Sequence, residues 1–234
     1  MATQNNIKQI PSLLDLAHFY GNASTKSRRI RTPFGYAMSK PMVNGNSKLA
    51  RNVLIFDLPA ITTCLNCQDC KGKCYAMKAQ RQYPGTRAKR FTNYYLAQLN
   101  PGVLELILDE QLARSRKPYV RIHSSGDFFS QNYLDMWARL AAKHTEKTFY
   151  FYTKVDGILD FSAMLALHNV NRVKSILPNG HINFAPREII LPMAKALNVP
   201  VCPYGMDPSN KAPVHCGKSC TLCMKSEYVA FIEH

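Results

Sequence analysis

The chain has 234 residues, with 30 Lys and Arg against 15 Asp and Glu and a formal net charge of +15. This length supports one sizeable core and excludes two independent large ones. No apolar run approaches the roughly 18 residues of a membrane span, and the N-terminus lacks the basic start and apolar core of a secretory signal. We therefore expect no membrane partner and a cytoplasmic location.

The first part of the chain differs in composition from the rest. Residues 1–50 are polar and rich in Asn, Ser and Lys, and their one apolar segment, 11–20, favours a helix that ends at Gly21. We interpret residues 1–50 as a polar, basic N-terminal arm and residues 51–234 as one α/β domain.

Positive charge makes nucleic acid a candidate partner, because a basic surface concentrates polyanions. A diffuse, solvated positive surface is the alternative, since most basic residues are spread along the chain. The exceptions are two local concentrations, Lys26, Arg28, Arg29 and Arg31, and Arg81, Arg87, Lys89 and Arg90.

Strand and helix patterns alternate from residue 52 onward. The predicted strands are 52–60, 119–127, 148–155, 173–177, 181–185 and 199–205. The predicted helices are 86–99, 101–116, 130–144, 161–168 and 187–198, with Asn100 and Ser130 as N-caps. This order predicts a mostly parallel sheet with right-handed crossovers, either open or closed into a partial (β/α) barrel.

Polar or cysteine-rich segments follow the first three predicted strands. They are Cys64 to Cys74, Ser124 to Asp127, and the pair Thr153 and Lys154. Ligands of such folds gather at the carboxyl ends of the strands. We therefore expect these segments to form one composite site.

The first cysteine group is Cys64, Cys67, Cys70 and Cys74. Its C-x2-C-x2-C-x3-C spacing is the one with which bacterial ferredoxins hold a four-iron, four-sulfur cluster. Tyr75 stands where the ferredoxin motif has Pro. In two-cluster ferredoxins the fourth cysteine also serves the other cluster, so the partner group of Cys74 stays open.

The second group is Cys202, Cys216, Cys220 and Cys223, and it contains C-x3-C-x2-C. That spacing also occurs in radical S-adenosylmethionine enzymes, where it follows the first strand instead of lying near the end of the sequence. His215, next to Cys216, is a reserve ligand. The two groups predict cysteine-rich metal-binding loops that hold one or two iron-sulfur clusters.

Two other interpretations of the cysteines stay open. Zinc is the first, because four-cysteine zinc sites built from C-x2-C pairs are common. Disulfides are the second, although the missing secretory signal argues against them.

A polar run follows the second predicted strand and suggests a ligand pocket. Arg121 and His123 share one predicted strand face, and Ser125, Gly126 and Asp127 follow at the turn. Lys154, after the third strand, suits a phosphate or carboxylate. We predict that these six residues bind a small molecule, while a satisfied structural network, with Asp127 as a helix cap, is the alternative.

Several of these motifs together resemble the phage-encoded family named after gene product 88. The resemblance rests on NSKLARNVLIFDLPA, CYA at Cys74, VRIHSSGDFFSQNYLDMWARLA, FYFYTK and the closing cysteines, and it spans about residues 45–225. It implies a phage protein in the cytoplasm of the host cell, without implying an activity.

A more distant resemblance is to radical S-adenosylmethionine barrels, in which a Gly-Gly-Glu segment after the second strand binds the cofactor's amino group. Ser125, Gly126 and Asp127 occupy that place here. The first cysteine loop has a different spacing, and Asp replaces Glu. The resemblance implies S-adenosylmethionine as a candidate cofactor.

These observations lead to two hypotheses of different classes. The first is a phage-type iron-sulfur protein with redox or radical chemistry on a small molecule or nucleotide. The second is a non-catalytic protein in which a bound metal stabilises a basic fold that associates with nucleic acid.

Overall fold

The computed structural model describes residues 29–32, 34–38, 40–46, 49–67, 72, 74–155, 157–174, 176–177, 185–203, 216 and 218–232. Its strands are β1 Arg29–Thr32, β2 Gly35–Met38, β3 Val43–Asn44, β4 Val53–Phe56, β5 Tyr119–Ile122, β6 Thr148–Phe151 and β7 Val170–Arg172. Its helices are α1 Tyr75–Gln82, α2 Pro84–Leu99, α3 Pro101–Arg114, α4 Gln131–Lys143, α5 Ser162–Leu165, α6 Arg187–Ala196 and α7 Leu222–Lys225.

Strands β3 to β7 form one five-stranded sheet in chain order. The pairs β4 with β5, β5 with β6, and β6 with β7 are parallel, whereas β3 is an antiparallel edge strand. Strands β1 and β2 form a separate antiparallel pair. The α/β class is thereby confirmed, and closure into a partial barrel stays a prediction.

One face of the sheet is covered by helices. Side chains that alternate along β4, β5 and β6, such as Phe56, Ile122 and Phe151, pack against α2, α3, α4 and α5. The predicted caps hold two of these helices in place: the Asn100 side chain accepts from the amide of Val103 at 3.1 Å, and Ser130 caps α4. This face contains the main apolar core.

The C-terminal part of the chain covers the opposite face. Val53, Ile55 and Tyr150 pack there against Met224 of α7, with the half-buried Cys223 beside them. Strand β6 therefore carries aromatic side chains on both faces, as predicted for a central strand.

The three predicted strands after β7 appear in the described residues only as isolated bridges. Lys174 pairs with Tyr228, Val201 with Ala230, and Ala185 with Ile232, all in parallel. The partner in each case is the C-terminal segment 228–232, which the sequence pattern did not predict as extended. A small second core, including Ile190 and Ile232, lies under these bridges.

The boundary of the predicted arm differs in the structure. Residues 1–28, with the predicted helix 11–20, lie outside the described residues. Met42, however, is only 2% exposed, and its backbone amide and carbonyl pair with the side chain of Gln111 at 3.1 and 2.9 Å. Residues 40–46 thus belong to the α/β fold.

Helix α1 was not predicted from the sequence, although it begins directly after Cys74 and buries Ala76 and Gln80. Among the described helices, none has the length and apolar character needed to cross a bilayer.

Candidate metal site and the polar turn beside it

Asp57, the residue that follows β4, organises the turn after β5. Its Oδ1 accepts hydrogen bonds from the Ser124 amide at 2.7 Å, the Ser124 hydroxyl at 2.8 Å and the Ser125 amide at 3.0 Å. Sequence analysis did not single out this residue. The signal was present, because an aspartate directly after a fully buried strand needs partners for its carboxylate.

Arg90 of α2 approaches the same carboxylate from the other side. One terminal nitrogen lies 3.4 Å from Asp57 Oδ2, and the other donates to the Ala76 carbonyl at 2.9 Å. The Arg90 side chain is 6% exposed and that of Asp57 is 17% exposed, so this ion pair is partly buried. It joins α1 and α2 to the end of β4.

Lys89, the neighbour of Arg90, is also buried, with 8% exposure. Its ammonium group donates to the Lys40 carbonyl. Burial lowers the pKa of Lys89 to about 7, against the opposing effect of the Asp57 charge. The second group of clustered basic residues therefore does not form one surface patch. Arg81 and Arg87 are exposed, whereas Lys89 and Arg90 are buried.

The turn between Ser125 and Asp127 packs closely on the residues after β4. The Ser125 hydroxyl donates to the Leu58 carbonyl at 2.9 Å, and the Asp127 amide donates to Thr63 Oγ1 at 3.3 Å. Gly126 lies between them with φ of +79°, and a Cβ there would fall 2.5 Å from Thr63 Oγ1. Only glycine fits this position without displacement of its neighbours.

Asp127 connects the ends of β5 and β6. Its carboxylate accepts from the Thr153 hydroxyl at 2.7 Å, the Lys154 amide at 2.9 Å and the Phe128 amide at 2.8 Å. Burial raises the pKa of Asp127 to about 6, although these hydrogen bonds favour the ionised form. Ser130 is the N-cap of α4, so Asp127 is not the helix cap. It instead connects the end of β5 to the end of β6 by hydrogen bonds.

Arg121 and His123 do not share a face of the sheet. His123 has φ of +62°, which ends the strand alternation and turns its ring into the aromatic core. There it is 3% exposed, lies 2.7 Å from the Tyr133 hydroxyl and stacks against the Tyr133 ring. Burial lowers the pKa of His123 to about 3, with a further contribution from the Arg121 charge.

Arg121 lies on the opposite face, where α7 packs. Its guanidinium carbon is 3.8 Å from the centroid of the Tyr152 ring and 5.2 Å from that of Tyr150. The six predicted pocket residues are therefore divided: Arg121 faces the C-terminal cysteines, His123 faces the core, and the turn and Lys154 lie at the strand ends. Ligand binding by these residues stays a prediction.

The first cysteine group lies at the carboxyl ends of the strands. Cys64, Cys67 and Cys74 are half-buried, and Cys70 is outside the described residues. The Asn66 side chain donates to the Lys154 carbonyl at 3.0 Å, and the Tyr75 hydroxyl donates to the Ser124 carbonyl at 2.7 Å. These bonds join the cysteine loop to the polar turn, as the predicted composite site requires.

The second group packs against the sheet face that carries Arg121. The Tyr152 hydroxyl lies 2.7 Å from Cys223 Sγ, and the Asn171 side chain donates to the Cys223 carbonyl at 2.9 Å. Burial raises the pKa of Cys216 to about 12, and the nearby Cys223, Cys202 and Cys220 add to this shift. Cys216 and Cys220 pair through an isolated backbone bridge, and the other two thiols are close enough to Cys216 to act on its ionisation.

The described residues contain no set of three or more His, Cys, Asp or Glu side chains arranged to hold a metal ion. His215, the reserve ligand, and Cys70 lie outside them. Metal binding by the eight cysteines, and the choice among iron-sulfur, zinc and disulfide, therefore stays a prediction.

A family model described as gene product 88 matches residues 36–197, more than half of the chain. The chain belongs to the gene product 88 family. The resemblance to this phage gene product family, inferred from the motifs, is thereby confirmed. The matched residues contain the first cysteine group and the turn after β5. No curated protein and no solved structure matches the chain. In this gene product 88 protein, the second cysteine group lies beyond the matched residues.

Proposed function

We propose that this gene product 88 protein is an iron-sulfur redox protein, with one cluster held by Cys202, Cys216, Cys220 and Cys223. The observation that carries the proposal is the position of Cys223, which packs on the sheet face that presents the Tyr152 hydroxyl and the Arg121 guanidinium. Cys216 and Cys220 are joined by a backbone bridge, and Cys202 is close enough to Cys216 to act on its ionisation. A bound metal holds its cysteine ligands as thiolates, and a nearby cation offsets the negative charge of the centre.

The first cysteine group is the candidate for a second cluster. Its spacing favours a four-iron cluster, and its loop is attached to β6 through Asn66 and Lys154. Tyr152, two residues before Lys154, contacts the second group through Cys223. Both groups thus connect to the same strand end, which suits electron exchange between two centres.

Electron transfer is the form of redox chemistry that the site supports best. The polar atoms of Ser125 and Asp127 are already bonded within the protein, to Leu58, Thr153 and Lys154. An electron carrier needs no small-molecule pocket, whereas an enzyme needs free polar groups that orient its substrate.

Radical chemistry on a small molecule or nucleotide, with S-adenosylmethionine as cofactor, is the extension of this proposal. It requires saturable binding of S-adenosylmethionine to the anaerobically prepared protein. It further requires that Asp127→Asn abolishes this binding while the iron content stays unchanged. Reversible reduction of the clusters without such binding leaves electron transfer as the function.

The proposal is tested by purifying the protein without oxygen and measuring iron, acid-labile sulfide and zinc per chain. Two clusters give about eight iron and eight sulfide, and one cluster gives about four of each. Cys223→Ser is expected to remove the C-terminal centre, whereas Lys225→Ala, at an exposed residue of the same helix, leaves the content unchanged.

Zinc without sulfide, also from cells supplied with iron, would overturn the iron-sulfur proposal. Tight, salt-sensitive binding of DNA by the zinc form would then favour the second hypothesis, a non-catalytic protein that is stabilised by metal and associates with nucleic acid.

A further inference from the structure

Tyr150, at the centre of β6, has an unusual environment for a tyrosine. Its side chain is 1% exposed, and no acceptor for its hydroxyl proton lies within hydrogen-bond distance in the described part of the chain. Buried hydroxyls are nearly always paired, because an unpaired one has lost its water without compensation. A phenylalanine would fill the same space without this cost.

The Tyr150 side chain lies on the face of the sheet that packs against the C-terminal cysteines. It belongs to the same apolar cluster as Met224 and Cys223, and the Arg121 guanidinium lies over its ring. Tyr152, on the same face, places its hydroxyl 2.7 Å from Cys223 Sγ. Two tyrosine side chains and one cation thus lie on the sheet face against which Cys223 packs.

Resting on the function proposed above, we infer that Tyr150 donates a hydrogen bond to a sulfur of the C-terminal cluster and that Tyr150, Tyr152 and Arg121 together stabilise its reduced form. A cluster with four thiolate ligands becomes more negative when it accepts an electron. Hydrogen bonds to sulfur and a nearby positive charge therefore favour reduction and raise the reduction potential.

The arrangement differs from the opposite face of the sheet, which is lined by apolar side chains such as Phe149 and Phe151. Arginine and tyrosine on only one face are poor choices for a sheet that packs against apolar residues alone. They suit a face that packs against an anionic centre. The three residues are positioning groups, because none of them is a ligand of the cluster.

The test compares Tyr150→Phe and Tyr152→Phe with Tyr133→Phe. Tyr133 is a matched control, since it is 1% exposed and lies in the core on the other face of the sheet. The iron and sulfide contents are measured first, and the reduction potential of the C-terminal cluster is then measured in Cys67→Ser, which lacks the first centre.

We expect both variants on the cysteine face to keep wild-type iron and sulfide and to show a more negative potential, with no change for Tyr133→Phe. The Fe–S stretching bands in resonance Raman spectra should shift on transfer to D₂O, and by less in Tyr150→Phe. The apo form of Tyr150→Phe should be at least as stable as the wild-type apo form.

A Tyr150→Phe cluster with unchanged potential and unchanged D₂O shift would overturn the inference and leave the iron-sulfur proposal intact. Loss of the cluster from a folded Tyr150→Phe would also overturn it, because the hydroxyl would then be needed for assembly. Absence of sulfide from the wild-type protein would instead refute the proposed function.

Discussion

The Asp57 carboxylate binds both the amide and the hydroxyl of Ser124, with Oδ1 2.7 Å from the nitrogen and 2.8 Å from Oγ. Asp57 directly follows β4 and Ser124 lies in the turn after β5, so one side chain joins the carboxyl ends of two parallel strands. Arg90 holds the other side of the carboxylate. The turn after β5 is therefore held by a carboxylate that is itself paired with a cation.

Removing the Asp57 carboxylate should strongly destabilise the protein. Asp57→Ala leaves the Arg90 charge buried and two backbone amides without acceptors, and we expect a loss of about 3–5 kcal/mol in the free energy of unfolding. Urea denaturation followed by circular dichroism measures this loss. Glu110→Gln is the control, because its ion pair with Arg114 is exposed on one helix and contributes about 0.5 kcal/mol or less.

Equal losses for Asp57→Ala and Glu110→Gln would contradict this account. They would mean that the Asp57 carboxylate is solvated and does not hold the turn. Asp57→Asn is a useful intermediate, since the amide oxygen can still accept from Ser124 while the charge that faces Arg90 is removed.

Gly126 and Gly157 offer a matched test of close packing. Both have positive φ, +79° and +77°, but a Cβ at Gly126 would fall 2.7 Å from Leu58 Cβ, whereas nothing lies within 4 Å at Gly157. Gly157→Ala should cost about 1–2 kcal/mol for backbone strain alone. Gly126→Ala should cost a further ~1–3 kcal/mol, because Leu58 or Thr63 must move.

The difference between these two alanine variants in thermal or urea unfolding is the quantity to measure. If the two costs agree within about 0.5 kcal/mol, the turn does not pack on Leu58 as described. Under the proposed metal binding by the first cysteine group, Gly126→Ala should also lower the metal content, since the same turn accepts the hydrogen bond from Tyr75 next to Cys74.

The pattern of the sequence predicted the three parallel strands β4, β5 and β6 and the caps of α3 and α4, because these depend on local periodicity and local hydrogen bonds. Strand β7 was not predicted, and it lies just before the predicted strand 173–177. Helix α1 was missed because it is short, strongly basic and directly follows a cysteine loop. The bridges made by residues 228–232 were missed for a different reason. Single parallel bridges to distant segments leave no periodic signal in the chain.

The placement of the candidate site at the strand ends could also be predicted, since parallel strands bring their carboxyl ends to one edge. The division of Arg121 from His123 could not, because it depends on one positive φ at His123. The role of Asp57 was overlooked for a similar reason. Its partners, Ser124 and Arg90, are far away in the sequence, and only the fold brings them together.

Lys89 should make stability rise with pH above neutrality. Its pKa is about 7 in the folded protein, against 10.5 ordinarily, so the unfolded chain binds more protons between these values. The free energy of unfolding is therefore highest above about pH 10.5, where Lys89 is neutral in both states. It decreases as the pH falls toward 7, by about 5 kcal/mol at most. Unfolding measured from pH 7 to 9.5 should show this rise in the wild type and a flatter profile in Lys89→Met.

Arg87→Met is the control for this experiment, because it removes a positive charge from an exposed position two residues away. If the free energy of unfolding of Lys89→Met rises with pH as much as that of the wild type, Lys89 is ionised in the folded protein and its ammonium group reaches solvent.

Asp127 and His123 should have opposite effects on stability in the acidic range. The pKa of Asp127 is about 6 in the folded protein, above its ordinary 3.8, so the folded state binds the extra proton and stability falls as pH rises between these values. The pKa of His123 is about 3, below its ordinary 6.5, so the unfolded state binds the extra proton and stability rises with pH. The two slopes nearly cancel between about pH 4 and 6.

Asp127→Asn should therefore expose the effect of His123. In this variant we expect the free energy of unfolding to increase by about 1.4 kcal/mol per pH unit from pH 4 to 6, whereas the wild-type value stays nearly constant. His123→Gln should give the opposite slope, and the double variant should again be flat. The slope is the decisive quantity, because each substitution also removes hydrogen bonds and lowers stability at every pH. A flat profile in both single variants would mean that neither group is buried in the ionisation state inferred here, and that the turn at Asp127 is open to water.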